Sequence, residues 1–214
     1  PAAATAFFSK AKATVAAHGM ELRTVLATSG FEEVKRGLPG RDEKIAWLQN
    51  AVQAMGTVGI PILAYNFKLL NSKLLRSAPT QGRGTSTYIS FDYAEYLKKP
   101  APPVTPPVSE AQVRDNLHYF LKALIPACEK AGVRMALHPD DPPVPLGTPA
   151  LAGAAHVVSS LDDYQRIFDL VPSPSNGMLF CQGCVTEMKG VDVYDAIRKM
   201  GGMNKIVKIG RAHV

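Results

Sequence analysis

The sequence has few cysteines, no long apolar run and no cluster of basic residues. Three cysteines among 214 residues are too few for a disulfide framework, which favours a reducing compartment and predicts a cytoplasmic protein. No apolar stretch approaches the roughly 20 residues that span a bilayer. The opening Pro-Ala-Ala-Ala also lacks the basic start of a secretory signal. We therefore expect no membrane partner.

Nucleic-acid and dinucleotide binding are both disfavoured. The net charge of +6 and the pI of about 9.3 would suit a nucleic-acid partner, but the basic residues are dispersed. There is neither a basic tract nor an aromatic stacking motif, so no nucleic-acid partner is expected. The first predicted strand is not followed by Gly-x-Gly-x-x-Gly, which weakens a dinucleotide-binding interpretation. With 46% hydrophobic and 20% charged residues, the composition is that of an ordinary globular domain.

Helical and strand patterns alternate along the chain. Periodicity and turn signals predict helices over residues 2–18, 43–55, 109–131, 160–170 and 192–200, and strands over residues 20–27, 59–67, 135–138 and 177–181, with a further strand starting near 206. Residues 68–108 show no clear period and end in a proline cluster, so we predict a long functional or mobile loop there. Strict alternation indicates parallel strands joined by helical crossovers. The pattern fits part of an eight-stranded (β/α) barrel or a complete doubly wound sheet.

Two predicted strands end in side chains that bind metals. Met135-Ala-Leu-His138 runs into Pro-Asp-Asp-Pro-Pro143, and Gly177-Met-Leu-Phe-Cys181 runs into Gln-Gly183. Successive parallel strands place their carboxyl ends at one edge of the sheet, where α/β enzymes build their sites. We therefore expect His138 and Cys181 to lie close together. A histidine at a strand end is, however, often a structural residue.

The residues around these two side chains leave alternatives open. Asp140 and Asp141 are either solvated turn formers before proline or groups that orient His138. Cys181 and Cys184 form Cys-x-x-Cys between a strand and a helix, the setting of a thiol redox pair. A structural zinc site would need four ligands, of which only two lie close in sequence. We interpret Cys184 as a small buried residue.

Six segments together resemble the mannonate dehydratase family. They are Gly37-Leu-Pro-Gly-Arg-Asp42, Gly59-Ile-Pro-Ile-Leu-Ala-Tyr-Asn-Phe67, His138-Pro-Asp-Asp-Pro-Pro143, Asp163-Tyr-Gln-Arg166, Pro172-Ser-Pro-Ser-Asn-Gly177 and Phe180-Cys-Gln-Gly183. The resemblance implies an α/β fold: a partial (β/α)8 TIM barrel related to xylose isomerase, covering roughly strands 2–6, with a parallel sheet and helices outside. It also implies dehydration of D-mannonate to 2-dehydro-3-deoxy-D-gluconate in hexuronate breakdown, with Mn²⁺ or Fe²⁺ as cofactor.

The resemblance also assigns residues. It makes His138 and Cys181 metal ligands, and it places the remaining ligands and the acid/base groups beyond residue 214. We add Asn66 and Arg83 as expected substrate contacts; Arg83 and Arg76, both in the long loop, are candidates to clamp the substrate carboxylate. The expected partner is a small sugar acid, and the full-length enzyme is expected to be a homodimer. The alternatives are another xylose-isomerase-like isomerase or epimerase, and a Cys-x-x-Cys redox or metal-binding module.

Both ends of the chain bear on this prediction. The first residue is proline, and residues 209–214 read as the translation of a common sequencing adapter. We therefore expect residues 1–208 to be part of one barrel domain, with 209–214 as a non-native tail. An internal fragment of this kind is expected to be inactive alone.

Overall fold

Eight helices and seven strands are seen in the described part of the chain. The computed structural model describes residues 2–70, 72–145 and 148–210. In chain order the elements are α1 (Ala2–Ala16), β1 (Thr24–Ala27), α2 (Glu32–Arg36), α3 (Arg41–Val58), β2 (Ile62–Tyr65), a 3₁₀ turn (Ser72–Leu75), β3 (Thr80–Gln81), β4 (Thr87–Tyr88), α4 (Tyr93–Lys98), α5 (Glu110–Ala131), β5 (Arg134–Leu137), α6 (Leu161–Leu170), β6 (Asn176–Cys181), α7 (Gln182–Glu187), α8 (Val193–Gly202) and β7 (Ile206–Gly210).

Five strands form one parallel sheet. Their order is β1-β2-β5-β6-β7, and every neighbouring pair is parallel. Residues of β7 also approach β2 and β5 although other strands lie between them, so the sheet is strongly curled. A curled parallel sheet with helices between its strands is part of a TIM barrel, which confirms the predicted fold class.

Alternation along the strands separates two faces of this sheet. The outer face packs against the helices through large side chains such as Tyr65, Leu137 and Phe180. The inner face is lined by smaller groups, including Ala64, Ala136 and Cys181. Because successive side chains of a strand point to opposite faces, residues in step with Ala136 and Cys181 face the barrel interior.

Helix ends follow the predicted signals in α5 and α6. Ser109 accepts from the backbone N–H of Gln112, whose side chain accepts from the Ser109 N–H, which is a complete capping box. Ser160 likewise accepts from the N–H of Asp163. Each cap stabilises its helix by about 1 kcal/mol. These two helices flank β5, the strand that leads into His138.

Several element predictions were wrong in detail. The strand expected over residues 20–27 begins only at Thr24. Helices α2 and α7 were not predicted, because five or six residues are too few to show a helical period. The interval 68–108, predicted as an unstructured loop, contains the 3₁₀ turn, the β3–β4 hairpin and α4.

The expected tail falls partly on described residues. Ile209 and Gly210 complete β7, where they pair with Phe180 and Cys181. Residues 211–214 lie outside the described part of the chain, so the proposed origin of this segment remains a prediction.

Candidate metal centre

His138 and Cys181 meet at the carboxyl edge of the sheet. His138 follows the last residue of β5, and its backbone N–H donates to the Tyr65 carbonyl of β2 at 2.8 Å. Cys181 is the last residue of β6. A ring nitrogen of His138 and the sulfurs of Cys181 and Cys184 all lie within 4.8 Å of one another. The structure therefore brings together the two side chains that the sequence pairs, and adds Cys184, which the sequence analysis left out.

A backbone contact fixes the histidine ring. Nδ1 of His138 lies 2.6 Å from the Pro139 carbonyl oxygen. A carbonyl only accepts, so Nδ1 donates, and Nε2 is the ring nitrogen left to face a metal ion. Metal-binding histidines commonly have this arrangement, with one nitrogen tied to an acceptor and the other free to bind.

The end of β5, just before His138, is also held by a hydrogen bond from helix α6. The Tyr164 hydroxyl of α6 donates to the Leu137 carbonyl at 2.8 Å inside the core. Burial raises the pKa of Tyr164 well above its ordinary value, so the hydroxyl stays a donor at neutral pH. The end of β5 is held on one side by β2 and on the other by α6.

The two cysteines differ in protonation. The hydrogen bond from the Cys184 thiol lowers the pKa of Cys181, against the opposing effect of burial, and His138 and the Cys184 backbone N–H lower it further. The same contact, together with burial, raises the pKa of Cys184. Cys181 is therefore the sulfur that carries the negative charge, and thiolate is the form that binds metals.

The carboxylates beside His138 have other partners. Asp140 is buried and accepts from the Val158 N–H at 2.7 Å. Asp141 forms an ion pair with Arg76 at 2.5 Å. The sequence left open whether these aspartates orient His138, and within the described residues no hydrogen bond joins either carboxylate to the His138 ring. The two aspartates instead fix the loop after β5 to its neighbours.

Of the two expected arginines, Arg76 lines a cavity beside the loop that follows His138. A cavity of about 580 Å³ lies between the segment after the 3₁₀ turn and the loop after His138; its lining includes Arg76, Ser90, Pro142, Pro143, Gly183 and Glu187. Arg83 is exposed in the turn of the β3–β4 hairpin and does not line this cavity. In the sequence, the opposite charges of Arg76 and Asp141 are the signal for this ion pair. The two residues are 65 positions apart, so the sequence does not show that they meet.

Asn66 lies at the end of β2, buried beside a lysine. Lys35 Nζ donates to Asn66 Oδ1 at 3.4 Å, to the Thr28 and Lys68 carbonyls, and to Glu32 Oε1 at 3.0 Å. This contact engages the Oδ1 atom of Asn66 and fixes the orientation of its amide group. Sequence analysis missed Lys35, because a lysine in a short helix usually lies in solvent.

The fold and the site define a class. A partial TIM barrel with an imidazole and a thiolate at the carboxyl ends of its strands is an α/β barrel with a metal-capable centre. Solved structures agree on the fold: the chain superposes on mannonate dehydratase from Streptococcus suis serotype 2 with a TM-score of 0.83 and 27% identity, covering 96% of this chain and 58% of that one. A 3-keto-D-glucoside 4-epimerase from E. coli shares the fold with a TM-score of 0.63, 13% identity and coverage of 98% and 65%.

Sequence comparison gives the family. A model described as D-mannonate dehydratase (UxuA) matches residues 104–213, about half of the chain. A mannonate dehydratase of Streptococcus equi subsp. zooepidemicus is 31% identical over 80% of this chain, and one of Lactococcus lactis subsp. cremoris is 27% identical over 91%. The chain belongs to the D-mannonate dehydratase family. It spans 52% and 61% of the lengths of these two relatives, respectively.

No helix in the described part of the chain is both long and apolar enough to cross a membrane.

Proposed function

We propose that the protein containing this sequence dehydrates D-mannonate to 2-dehydro-3-deoxy-D-gluconate and water in hexuronate breakdown, with Mn²⁺ or Fe²⁺ as cofactor. The observation that supports this proposal is the meeting of His138 and Cys181 at the carboxyl edge of the barrel sheet in a chain of this family. These are the two positions that the resemblance assigns to metal ligands.

The reaction requires a charge-neutralising group. Removing a proton next to a carboxylate is unfavourable, and a bound divalent cation supplies the Lewis acidity that offsets the developing charge. Nε2 of His138 and the sulfur of Cys181 would hold that cation. Imidazole and thiolate suit Fe²⁺, whereas Mn²⁺ prefers oxygen, so this pair favours iron on ligand softness.

Substrate contacts follow from the neighbouring residues. Asn66 Nδ2 is proposed to donate to a substrate hydroxyl, since Lys35 holds the other end of the amide. For the substrate carboxylate, the cavity supports Arg76 over Arg83, because only Arg76 lines it. An arginine matches a carboxylate with two parallel N–H donors.

The test is activity and metal content of the complete protein. Cys181→Ser and His138→Ala should each remove most of the bound iron or manganese and most of the formation of 2-keto-3-deoxy acid from D-mannonate. Cys128→Ser is the matched control, because Cys128 is a buried cysteine in α5 outside the cluster. Undiminished turnover and metal content in the first two variants would contradict the proposal.

The same assay separates the enzyme alternatives. A xylose-isomerase-like isomerase or epimerase would return a rearranged sugar without loss of water. The fold is common to both classes, and such enzymes usually use carboxylate-rich ligands. A sulfur ligand therefore supports the dehydratase.

A thiol redox or metal-binding module is the second candidate function. The observation in its favour is the short separation of the Cys181 and Cys184 sulfurs, which lie within 4.8 Å. Thiol counting and peptide mass spectrometry after mild oxidation separate the two functions. A rapidly formed and rapidly reduced Cys181–Cys184 disulfide in an otherwise inactive complete protein would favour the redox module.

Cytoplasmic location and a homodimeric full-length enzyme complete the proposal. The free state of all three described cysteines fits a reducing compartment. The homodimer rests on the family resemblance alone, and sedimentation of the complete protein tests it.

A further inference from the structure

Cys184 is the one member of the cluster that the proposed function does not use. Its sulfur lies within 4.8 Å of both the Cys181 sulfur and a ring nitrogen of His138. The side chain is buried, with 3% of the residue exposed, and neither cysteine forms a disulfide. Three side chains of the types that bind soft divalent cations thus converge on one point.

The backbone explains why both sulfurs face the same way. β6 passes directly into α7: Cys181 is both the last residue of the strand and the N-cap of the helix. Cys184 is the third residue of α7, so one helical turn brings its side chain beside that of Cys181. Cys-x-x-Cys is also the spacing of thiolate pairs in zinc sites.

The third atom comes from another strand. Leu137 of β5 pairs with Met178 of the adjacent strand β6. His138 lies one residue beyond Leu137, and Cys181 lies three residues beyond Met178. The cluster is therefore assembled by the sheet, and α7 adds Cys184 to it. On the inner face of the sheet, the apolar side chains of Ala64, Ala136 and Leu179 pack together with the two cysteines.

We propose that Cys184 is a third metal ligand and that His138, Cys181 and Cys184 form a site selective for thiophilic divalent cations over Mn²⁺. This inference rests on the proposed function, in which His138 and Cys181 bind the metal. It adds that Cys184 determines which metal the site prefers. In a tetrahedral site with metal–sulfur and metal–nitrogen bonds of about 2.3 and 2.1 Å, ligand atoms lie roughly 3.5–3.8 Å apart. In the structure the three candidate ligand atoms lie within 4.8 Å of one another.

Binding of a cation by both sulfurs would release the proton of the Cys184 thiol, and the second thiolate would change the selectivity of the site. Soft sulfur ligands favour Zn²⁺ and Fe²⁺, whereas Mn²⁺ is held by oxygen. Replacing Cys184 by serine exchanges one soft ligand for a hard one. That exchange should weaken binding of thiophilic cations and leave binding of Mn²⁺ nearly unchanged.

Cobalt titration of the reduced chain tests the proposal. Co²⁺ is added under argon, and the thiolate-to-cobalt charge-transfer absorbance is recorded, since its intensity follows the number of bound sulfurs. We expect Cys184→Ser to bind with roughly half the wild-type intensity per cobalt, because one of two sulfurs is lost. We also expect a weaker cobalt affinity and easier displacement by excess Mn²⁺. Cys128→Ser should match the wild type.

The outcomes separate this proposal from the proposed function. Full intensity and affinity in Cys184→Ser, with a loss in Cys181→Ser, would overturn the role of Cys184 and leave the His138–Cys181 site standing. Unchanged binding in His138→Ala, Cys181→Ser and Cys184→Ser would overturn the metal centre itself. Cys184→His guards against misfolding of the serine variant. It should restore tight cobalt binding with a single-sulfur spectrum, and a failure to restore binding in a folded variant would count against the proposal.

Discussion

Lys35 is a buried cation with an unusual number of oxygen partners. Its ammonium contacts the Glu32 carboxylate, the Asn66 side chain and two backbone carbonyls, and lies 4.5 Å from the centre of the Phe31 ring. These partners come from the loops after β1 and β2. Lys35 therefore joins the first two strand ends at the edge of the sheet where the metal centre lies.

Removing this cation should destabilise the fold. Lys35→Met keeps the length of the side chain but leaves a buried amide oxygen and two carbonyls without their donor, at a cost of about 1–3 kcal/mol. Urea denaturation followed by circular dichroism measures the change. Lys122→Met is the control, because Lys122 is exposed on α5 and should shift the midpoint little. Equal stabilities of the two variants would contradict the role assigned to Lys35.

Lys35 also predicts a pH dependence. Burial lowers its folded-state pKa from the ordinary value of 10.5. Between the lowered pKa and 10.5 the unfolded chain binds more protons than the folded chain, so the free energy of unfolding rises with pH across that window. Denaturation at a series of alkaline pH values should show this rise in the wild type and a smaller one in Lys35→Met. The same slope in both would show that another group is responsible.

At the residue scale, the sequence predicted two of the three cluster members. His138 and Cys181 were found because each follows an apolar strand. Cys184 was not placed in the site, and Arg76 was not separated from Arg83, since their contacts depend on where α7 and the residues after the 3₁₀ turn pack. Arg83 was chosen only because it is a positively charged residue in the long loop. Charge alone does not show which arginine of that loop lines the cavity.

At the scale of elements, α3 and α5 approach each other closely at Gly56. A Cβ on Gly56 would lie 2.3 Å from the Ala131 carbonyl oxygen and 2.9 Å from the Ala131 Cβ. Only a glycine permits this approach. The two helices cover the outer face of β2 and β5, so their spacing supports the strands that lead to Asn66 and His138.

Gly56→Ala should therefore push α3 away from α5. We expect a loss of about 1–3 kcal/mol, which is typical of overpacking in a filled contact. Gly202→Ala is a matched control at the end of α8, where a Cβ meets nothing within 4 Å. In that helix alanine should be neutral or stabilise by about 0.5–1 kcal/mol. Thermal unfolding of both variants checks the prediction, and a stable Gly56→Ala would show that the helices move apart at little cost.

Element prediction succeeded where the pattern was long. The five longer predicted helices and the five strands of the main sheet are present, because hydrophobic periodicity and caps are local signals. The β3–β4 hairpin has two residues in each strand, which is too short for a period. The curl of the sheet could not be predicted from any single strand, because it arises from the twist that accumulates across all five strands.

At the scale of the whole molecule, the described sheet has two edges. β1 pairs only with β2, and β7 pairs only with β6. Leu26, on β1, is 57% exposed on the inner side of the sheet. An edge strand with an exposed apolar side chain is a template for pairing with another chain.

The isolated chain should therefore self-associate as its concentration rises. Leu26→Lys should reduce this association, because a charge on an edge strand opposes strand pairing. Leu170→Lys is the control, since Leu170 is 51% exposed but lies at the end of α6, away from either sheet edge. Sedimentation velocity over a range of concentrations measures the effect. An equal reduction by both variants would point to general charge rather than to the β1 edge.

The positions of the cluster residues in the chain affect how a metal would couple to folding. Cys181 and Cys184 are three positions apart, whereas His138 lies 43 positions before Cys181. The unfolded chain keeps the two thiols near each other and so retains part of the affinity for a thiophilic cation. Binding to the unfolded chain reduces the stabilisation that a ligand gives the folded one. The stabilisation by metal should thus be smaller than the affinity of the folded site implies, and most of it should depend on His138, the only cluster residue that folding must bring from a distance.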